Sequence, residues 1–281
     1  MPVPNNVVGR YLEVGGEQLY TLTFGCEAPT AVVLLCGPFP SDRLHSLISW
    51  VRWGRFLARH NVAAVRFDYR GTGESTGDFA GFGLLDWQAD VQHVAGWAES
   101  TWPKLPLLLH GLGMGGLLAQ QVFSAGQGDG LLMWSAPAKG RDVLSQALIL
   151  RLSMDMVFHR PEERKTAQQY IELLNAGQAI EVDGYRWSSR LWQSAEGMQL
   201  DPAYRQPGAG TEPQNHRPWK HIRLDPAKAP LIASPSQWRA MNPRAYVPRS
   251  PLNPDFAQFF EENLVWLKGE LRAKHDICVK R

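Results

Sequence analysis

The chain of 281 residues reads as an α/β protein built on a doubly wound, mostly parallel sheet. Short runs such as Ala31–Cys36 are apolar throughout rather than alternating, the pattern of a strand buried on both faces. Between residues 31 and 135 such strands alternate with amphipathic helical stretches, which implies right-handed crossovers and ligands at the carboxyl ends of the strands. The turn Gly111-Leu-Gly-Met-Gly-Gly116 then joins an apolar strand directly to a helix start, its small residues letting the backbone pass close to its neighbours.

The elements follow in order. Residues 11–14 and 17–24 alternate around Gly15-Gly16, a pair that permits positive φ, and predict a leading hairpin. Ala31–Cys36 is the first buried strand. Residues 46–60 carry Leu47, Ile48, Val51, Phe56 and Leu57 with helical recurrence, and 62–68 form the next strand. Leu84–Thr101 reads as a helix stopped by Pro103, followed by a strand at 106–110, a helix at 114–125 and a strand at 131–135. After Lys139 the pattern changes. Residues 142–158 and 162–175 read as two amphipathic helices, the second closed by Gly177 and with no strand between them, as expected of a helical lid inserted after the sixth strand over about 140–200. Eleven of the twenty prolines fall between Pro202 and Pro254, and the apolar strand candidates there are 231–233 and 245–247. Asn253 and Pro254 open a last helix with the stripe Phe256, Phe259, Phe260, Leu264, Leu267 and Leu271. Residues 1–281 are expected to form a single domain.

Composition excludes several classes of function. An apolar content of 44% supports a full core, and a net charge of +2 with scattered Lys and Arg offers no stripe for nucleic acid or a membrane surface. No apolar run reaches the ~18 residues of a membrane span. The start Met1-Pro-Val-Pro-Asn-Asn lacks the basic segment and apolar core of a signal peptide, so the expected location is cytoplasmic. Cys26, Cys36 and Cys278 show neither metal spacing nor a disulfide framework; no metal and no cofactor is expected. Gly111, Gly113 and Gly116 fit GxGxxG, but this turn follows a third or later parallel strand and no acid ends a strand about 20 residues on, so nucleotide binding is the distant alternative.

Three motifs carry a resemblance: Cys36-Gly37-Pro38 after a strand, Asp68-Tyr-Arg-Gly-Thr-Gly-Glu-Ser75 after the next, and the turn Gly111–Gly116. Together they resemble the α/β-hydrolase superfamily, strongly from about residue 28 to 137. Within it the chain is most similar to the serine-aminopeptidase-type branch, and to the second type of hydrolase associated with bacterial exosortase systems. That narrower likeness rests on Gly37-Pro-Phe-Pro-Ser-Asp-Arg-Leu-His-Ser46, on residues 68–79 and on Glu181-Val-Asp-Gly-Tyr185. It implies a cytoplasmic accessory of exopolysaccharide and protein-sorting systems.

In this superfamily the turn is the nucleophile elbow, whose central residue is normally Ser, Cys or Asp, followed in the chain by an acid and then by a His before the last helix. Here the central residue is Gly113, and 226–254 contains no Asp, Glu or His. The resemblance also implies an oxyanion N–H after the third strand, where Pro38 has none to give and Phe39 offers the next, with Met114 supplying the second at the helix start. Pro38, Phe39 and Met114 are therefore the ligand-binding candidates. The expectation is a non-catalytic or impaired hydrolase homologue that binds a small acyl or carbonyl ligand or a protein partner.

The alternative is an active esterase, thioesterase or peptidase. In the usual strand order Cys36, Asp68 and His110 end adjacent strands, and a Cys36–His110 pair would supply a substitute nucleophile and base. Asp68, Arg70 and Ser75 read foremost as loop scaffolding, Asp86 and Trp87 as a helix start, and Trp187 and Trp192 as core or as pocket walls.

Overall fold

The computed structural model describes residues 6–212, 216–224 and 254–279. A hairpin of β1 (Asn6–Val14) and β2 (Glu17–Gly25) leads into β3 (Ala31–Cys36), α1 (Pro40–Arg59), β4 (Val62–Phe67), α2 (Leu84–Thr101), β5 (Leu107–Leu112), α3 (Met114–Ser124) and β6 (Gly130–Trp134). The insertion follows, with α4 (Gly140–Phe158), α5 (Ala167–Asn175), a small hairpin of β7 (Ile180–Val182) and β8 (Tyr185–Trp187), and α6 (Ser189–Ser194). The chain returns to the sheet through β9 (Gly208–Thr211) and β10 (Pro218–Ile222), and α7 (Pro254–Val279) is the final helix.

The main sheet runs in the order β1-β2-β4-β3-β5-β6-β10-β9. Its five central strands, β4 to β10, are parallel. The pairs at both ends are antiparallel. Strands β3, β4, β5 and β6 are largely apolar on both faces because each is covered twice. Val32, Leu34, Cys36, Val65, Leu107 and Leu109 pack with Trp87 and Val91 of α2 and Leu117 and Leu118 of α3. Val33, Leu35, Ala64, Leu108 and Leu112 pack on the other side with Trp53 and Leu57 of α1 and Phe260 and Leu264 of α7.

Several element boundaries differ from the sequence expectation. Helix α1 begins at Pro40, six residues before position 46, because proline at the first helical position has its φ preset and no N–H to lose. Helix α5 begins after Thr166 rather than at 162. The Thr166 hydroxyl accepts from Gln169 N–H at 3.2 Å while the Gln169 side chain accepts from Thr166 N–H at 2.8 Å, a reciprocal cap that fixes the start. The phrase at 181–185 is a β-hairpin turned by Asp183 and Gly184, both at positive φ.

Two strands, β9 and β10, lie in the proline-rich stretch where regular structure was not expected. Lys220 and His221 disguise β10 in the sequence: His221 is buried with Nδ1 2.8 Å from the Tyr204 carbonyl oxygen, and the Lys220 ammonium lies over the Trp266 ring. The strand candidates 231–233 and 245–247 and the Asn253 cap lie outside the described residues.

The insertion is joined to the body by one continuous core. Val182, Trp187, Leu191 and Trp192 belong to the same buried cluster as α2 and α3. The Trp187 ring meets Phe39 edge-on at 5.7 Å, and Arg190 of α6 pairs with Asp86 at the start of α2 through two bonds of 2.6 and 2.9 Å. Among the described residues no helix is long and apolar enough to cross a membrane.

Candidate functional site

The sheet delivers Gly113 to its carboxyl edge between β5 and α3, at φ 55 and ψ −125. That conformation is essentially reserved for glycine, and a residue with a Cβ would hold it only at a cost of ~1–3 kcal/mol. Gly113 N–H donates to the Trp134 carbonyl at 2.9 Å, and Gly113 O accepts from Gly116 N–H at 2.9 Å, so the turn is tied to β6 and to its own helix. A Cβ on Gly111 would overlap the backbone of Gly115 and Gly116, and one on Gly115 would overlap the carbonyl oxygens of Cys36 and Gly37. On Gly113 itself a Cβ would meet, among the described residues, only Pro38 Cβ, at 3.6 Å, which is ordinary contact. The glycines at 111 and 115 are required by packing. The glycine at 113 is not.

The loop after β3 lies against this turn. Phe39 and Met114 are each 1% exposed, so their side chains are core and only their backbones can face a ligand. Among the described residues neither the Phe39 N–H nor the Met114 N–H has an acceptor. Each opens a helix, α1 and α3, where free N–H groups and the helix dipole favour an anion or a carbonyl oxygen.

Cys36, His110 and Asp68 do not converge. The three do end neighbouring strands, but Cys36 faces the α2–α3 side and His110 the α1–α7 side, among Trp50, Trp53 and Trp134, so the sheet itself separates thiol from imidazole. Burial raises the Cys36 thiol far above its ordinary range, which removes the thiolate a nucleophile needs. His110 Nδ1 bonds the Leu132 carbonyl at 2.9 Å, and burial lowers the imidazole to about 3. Asp68 accepts from Arg43 Nη2 at 2.9 Å, Arg66 Nη2 at 2.8 Å and Glu74 N–H at 3.1 Å. The neighbouring residues are likewise spent on scaffold. Arg70 holds Asp90 through Nε at 2.6 Å, and Ser75 Oγ donates to Asp68 O.

The His110 environment makes a pH prediction. Below pH 6.5 the unfolded chain takes up a proton that the folded site refuses down to about 3. Stability therefore falls with pH through that window, by up to about 1.4 kcal/mol per unit. Burial also pushes the Asp42 and Asp90 carboxyls up to about 6. These act oppositely, since the folded state binds their protons first as the pH falls. The His110→Phe variant isolates the imidazole: its stability relative to the parent, from urea titrations, is expected to rise steadily as the pH drops from about 6.5 to 4.5. A constant difference across that range would show that His110 protonates in the folded state.

The position of β10 moves the search for the acid. It pairs parallel with β6, where 231–233 had been taken for the next strand, and its end is pinned by Ser135, whose N–H donates to Ile222 O at 2.7 Å and whose Oγ accepts from Leu224 N–H at 2.8 Å. Asp225 is next in sequence and stands in the chain position of an acid. It immediately precedes the acid-free stretch 226–254, and it lies outside the described residues. The His is not recovered in the same way. From Leu224 to Asp255, between β10 and the body of the last helix, the sequence contains none. Among the described residues no group of three or more His, Cys, Asp or Glu is placed to hold a metal ion.

A parallel sheet with this strand order, an elbow turn at its carboxyl edge and a helical insertion after the sixth strand define an α/β-hydrolase-fold protein. Residues 49–179 match the family model described as serine aminopeptidase, S33. Among solved structures, Est1E from Butyrivibrio proteoclasticus, determined with ferulic acid bound, is 14% identical over 68% of this chain and 71% of that one, with a TM-score of 0.50. Alpha/beta hydrolase domain-containing protein 10 from mouse is 18% identical over 83% of this chain and 82% of that one, with a TM-score of 0.49. An α/β serine hydrolase without a lid from Xanthomonas campestris is 22% identical over 49% of this chain, with a TM-score of 0.43, and the chain spans 65% of that protein's length. No curated protein matches the sequence.

Proposed function

We propose that this protein is a non-catalytic or strongly impaired hydrolase homologue that uses the old cleft to bind an acyl, peptide or saccharide-linked ligand, or a protein partner. The carrying observation is Gly113, which holds the elbow conformation with no reactive atom although a Cβ there would meet, among the described residues, only Pro38. Two further facts support the reading: from Leu224 to Asp255 the sequence contains no His, and among the described residues the amides of Phe39 and Met114 have no acceptor. An intact oxyanion hole without a triad leaves ~10³–10⁴-fold acceleration over water, far below a working esterase. The resemblance to exosortase-associated hydrolases supplies the proposed setting, a cytoplasmic accessory of exopolysaccharide or protein-sorting systems. Est1E binds ferulic acid, so aromatic carboxylates are the first ligands to try here.

The test is chemical. The protein is expected to hydrolyse activated short-chain esters no faster than Gly113→Ala, to remain unlabelled by fluorophosphonates, and to gain no esterase activity in Gly113→Ser. A carboxylate that raises the thermal midpoint should lose this effect in Gly113→Phe, whose ring would occupy the cleft. Turnover abolished by Cys36→Ala or His110→Ala would replace this reading with an active enzyme.

A further inference from the structure

The two edges of the main sheet are finished differently. Strand β9 closes one edge with the four residues Gly208–Thr211. Strand β1 forms the other with nine, Asn6–Val14, and pairs with β2 in unbroken register from Asn6 opposite Gly25 to Val14 opposite Glu17. Among the described residues no strand pairs with the outer side of β1, so every second N–H and C=O along it points away from the sheet without a ladder partner. Exposed edges are commonly blunted by a proline, a lysine or a bulge, and β1 has none of these. Its two charges are turned back onto its own chain. The Arg10 guanidinium lies over the Trp97 ring of α2 at 5.2 Å, and the Glu13 carboxylate accepts from Gln18 Nε2 at 2.6 Å.

The side chains of β1 are self-complementary. Leu12 and Val14 pack on the core, and Arg10 covers Trp97, so by alternation Val7, Gly9 and Tyr11 share the opposite face. Val7 is 38% and Tyr11 51% exposed although both are large and apolar. Opposed residues of an antiparallel pair lie on one face, so a two-fold axis between identical strands passes through a residue. Through Arg10 the axis would oppose two guanidiniums, and through Tyr11 it would leave Val7 against the turn residue Gly15. An axis nearer either end shortens the pairing. Through Gly9 it sets Val7 opposite the partner's Tyr11 and Tyr11 opposite the partner's Val7, a β-branched side chain on an aromatic ring, made twice. That register pairs Asn6–Leu12 with its copy, sets Arg10 opposite the partner's Val8 and opposes no like charges.

We propose that β1 is a self-association surface: two copies of this chain pair antiparallel through β1 about a two-fold axis at Gly9, joining their sheets into one. The contact is closed. Both copies spend the long edge on each other and leave only the short β9 edges outside, so assembly stops at the dimer.

The experiment is sedimentation velocity of the full chain from micromolar to near-millimolar concentration, with two double variants beside the parent. The parent is expected to pass from monomer to dimer and no further. Val7→Lys with Tyr11→Lys opposes lysines at both contacts and should weaken association at least about tenfold. Val7→Lys with Tyr11→Glu opposes unlike charges at the same two contacts and should restore it to within about threefold of the parent, as should Val7→Glu with Tyr11→Lys. All these doubles alter the same two exposed positions, so a folding defect would not separate them. A monomer at every concentration, which leaves the edge to a different chain or to none, overturns the proposal. Growth beyond the dimer, undiminished association in the lysine pair, or equal loss in the charge-paired doubles overturns it as well.

Discussion

Replacing Gly115 with alanine is expected to cost more than about 4 kcal/mol or to leave no soluble protein, whereas Gly113→Ala, two residues away, should cost only ~1–3 kcal/mol. The two glycines do different jobs in one turn. A methyl at 115 collides with the carbonyl oxygens of Cys36 and Gly37, backbone atoms held in β3 and its loop by the sheet, so nothing flexible is available to move. Among the described residues a methyl at 113 meets only Pro38, at 3.6 Å, so its cost comes from φ. Urea unfolding of both variants checks the contrast. If Gly115→Ala unfolds within about 1 kcal/mol of the parent, the close passage of α3 against the β3 loop is wrong, and with it the placement of the elbow.

Asp68→Asn should be the most damaging single change of charge, lowering stability by roughly 3–5 kcal/mol. Among the described residues the carboxylate is the only anionic partner of Arg66, whose side chain is 9% exposed, and it also takes a bidentate pair from Arg43. Removing its charge strands a buried guanidinium, and the isosteric amide keeps the shape, so the loss measures electrostatics rather than packing. Combining it with Arg66→Met should recover part of the stability, because two neutral side chains in contact cost less than one unpaired ion. A loss below about 1 kcal/mol for Asp68→Asn would show that Arg66 reaches water or another acceptor and is not dependent on this partner.

How far the sequence reaches can be judged from particular elements. The parallel strands β3, β4, β5 and β6 were legible because a strand buried on both faces writes a continuous apolar run, and the elbow because its run of small residues between an apolar strand and a helix start is itself a local pattern. That the central residue of that turn is Gly113 was equally legible, since it is a single letter. Strand β10 was not. Its Lys220 and His221 are polar residues satisfied by partners far along the chain, Trp266 and Tyr204, and no local pattern announces such partners. The β7–β8 hairpin was missed for the opposite reason. Three-residue strands are too short to show a period, and only Asp183-Gly184 marks the turn.

The sequence by itself determined the α/β layering and the elbow turn, because each is written as a pattern over neighbouring residues: continuous apolar runs, helical recurrence and a run of small residues between strand and helix. Only the tertiary structure decided that Cys36 and His110 are kept apart. In strands apolar on both sides, alternation cannot tell which face a residue takes until the register is set, and here Leu35, not Cys36, pairs across from His110. It also decided that β10 is the strand beside β6, which brings Asp225 into the acid's place in the chain order. A parallel partner is chosen by long-range pairing across an inserted lid, and that choice leaves no mark on the neighbouring residues.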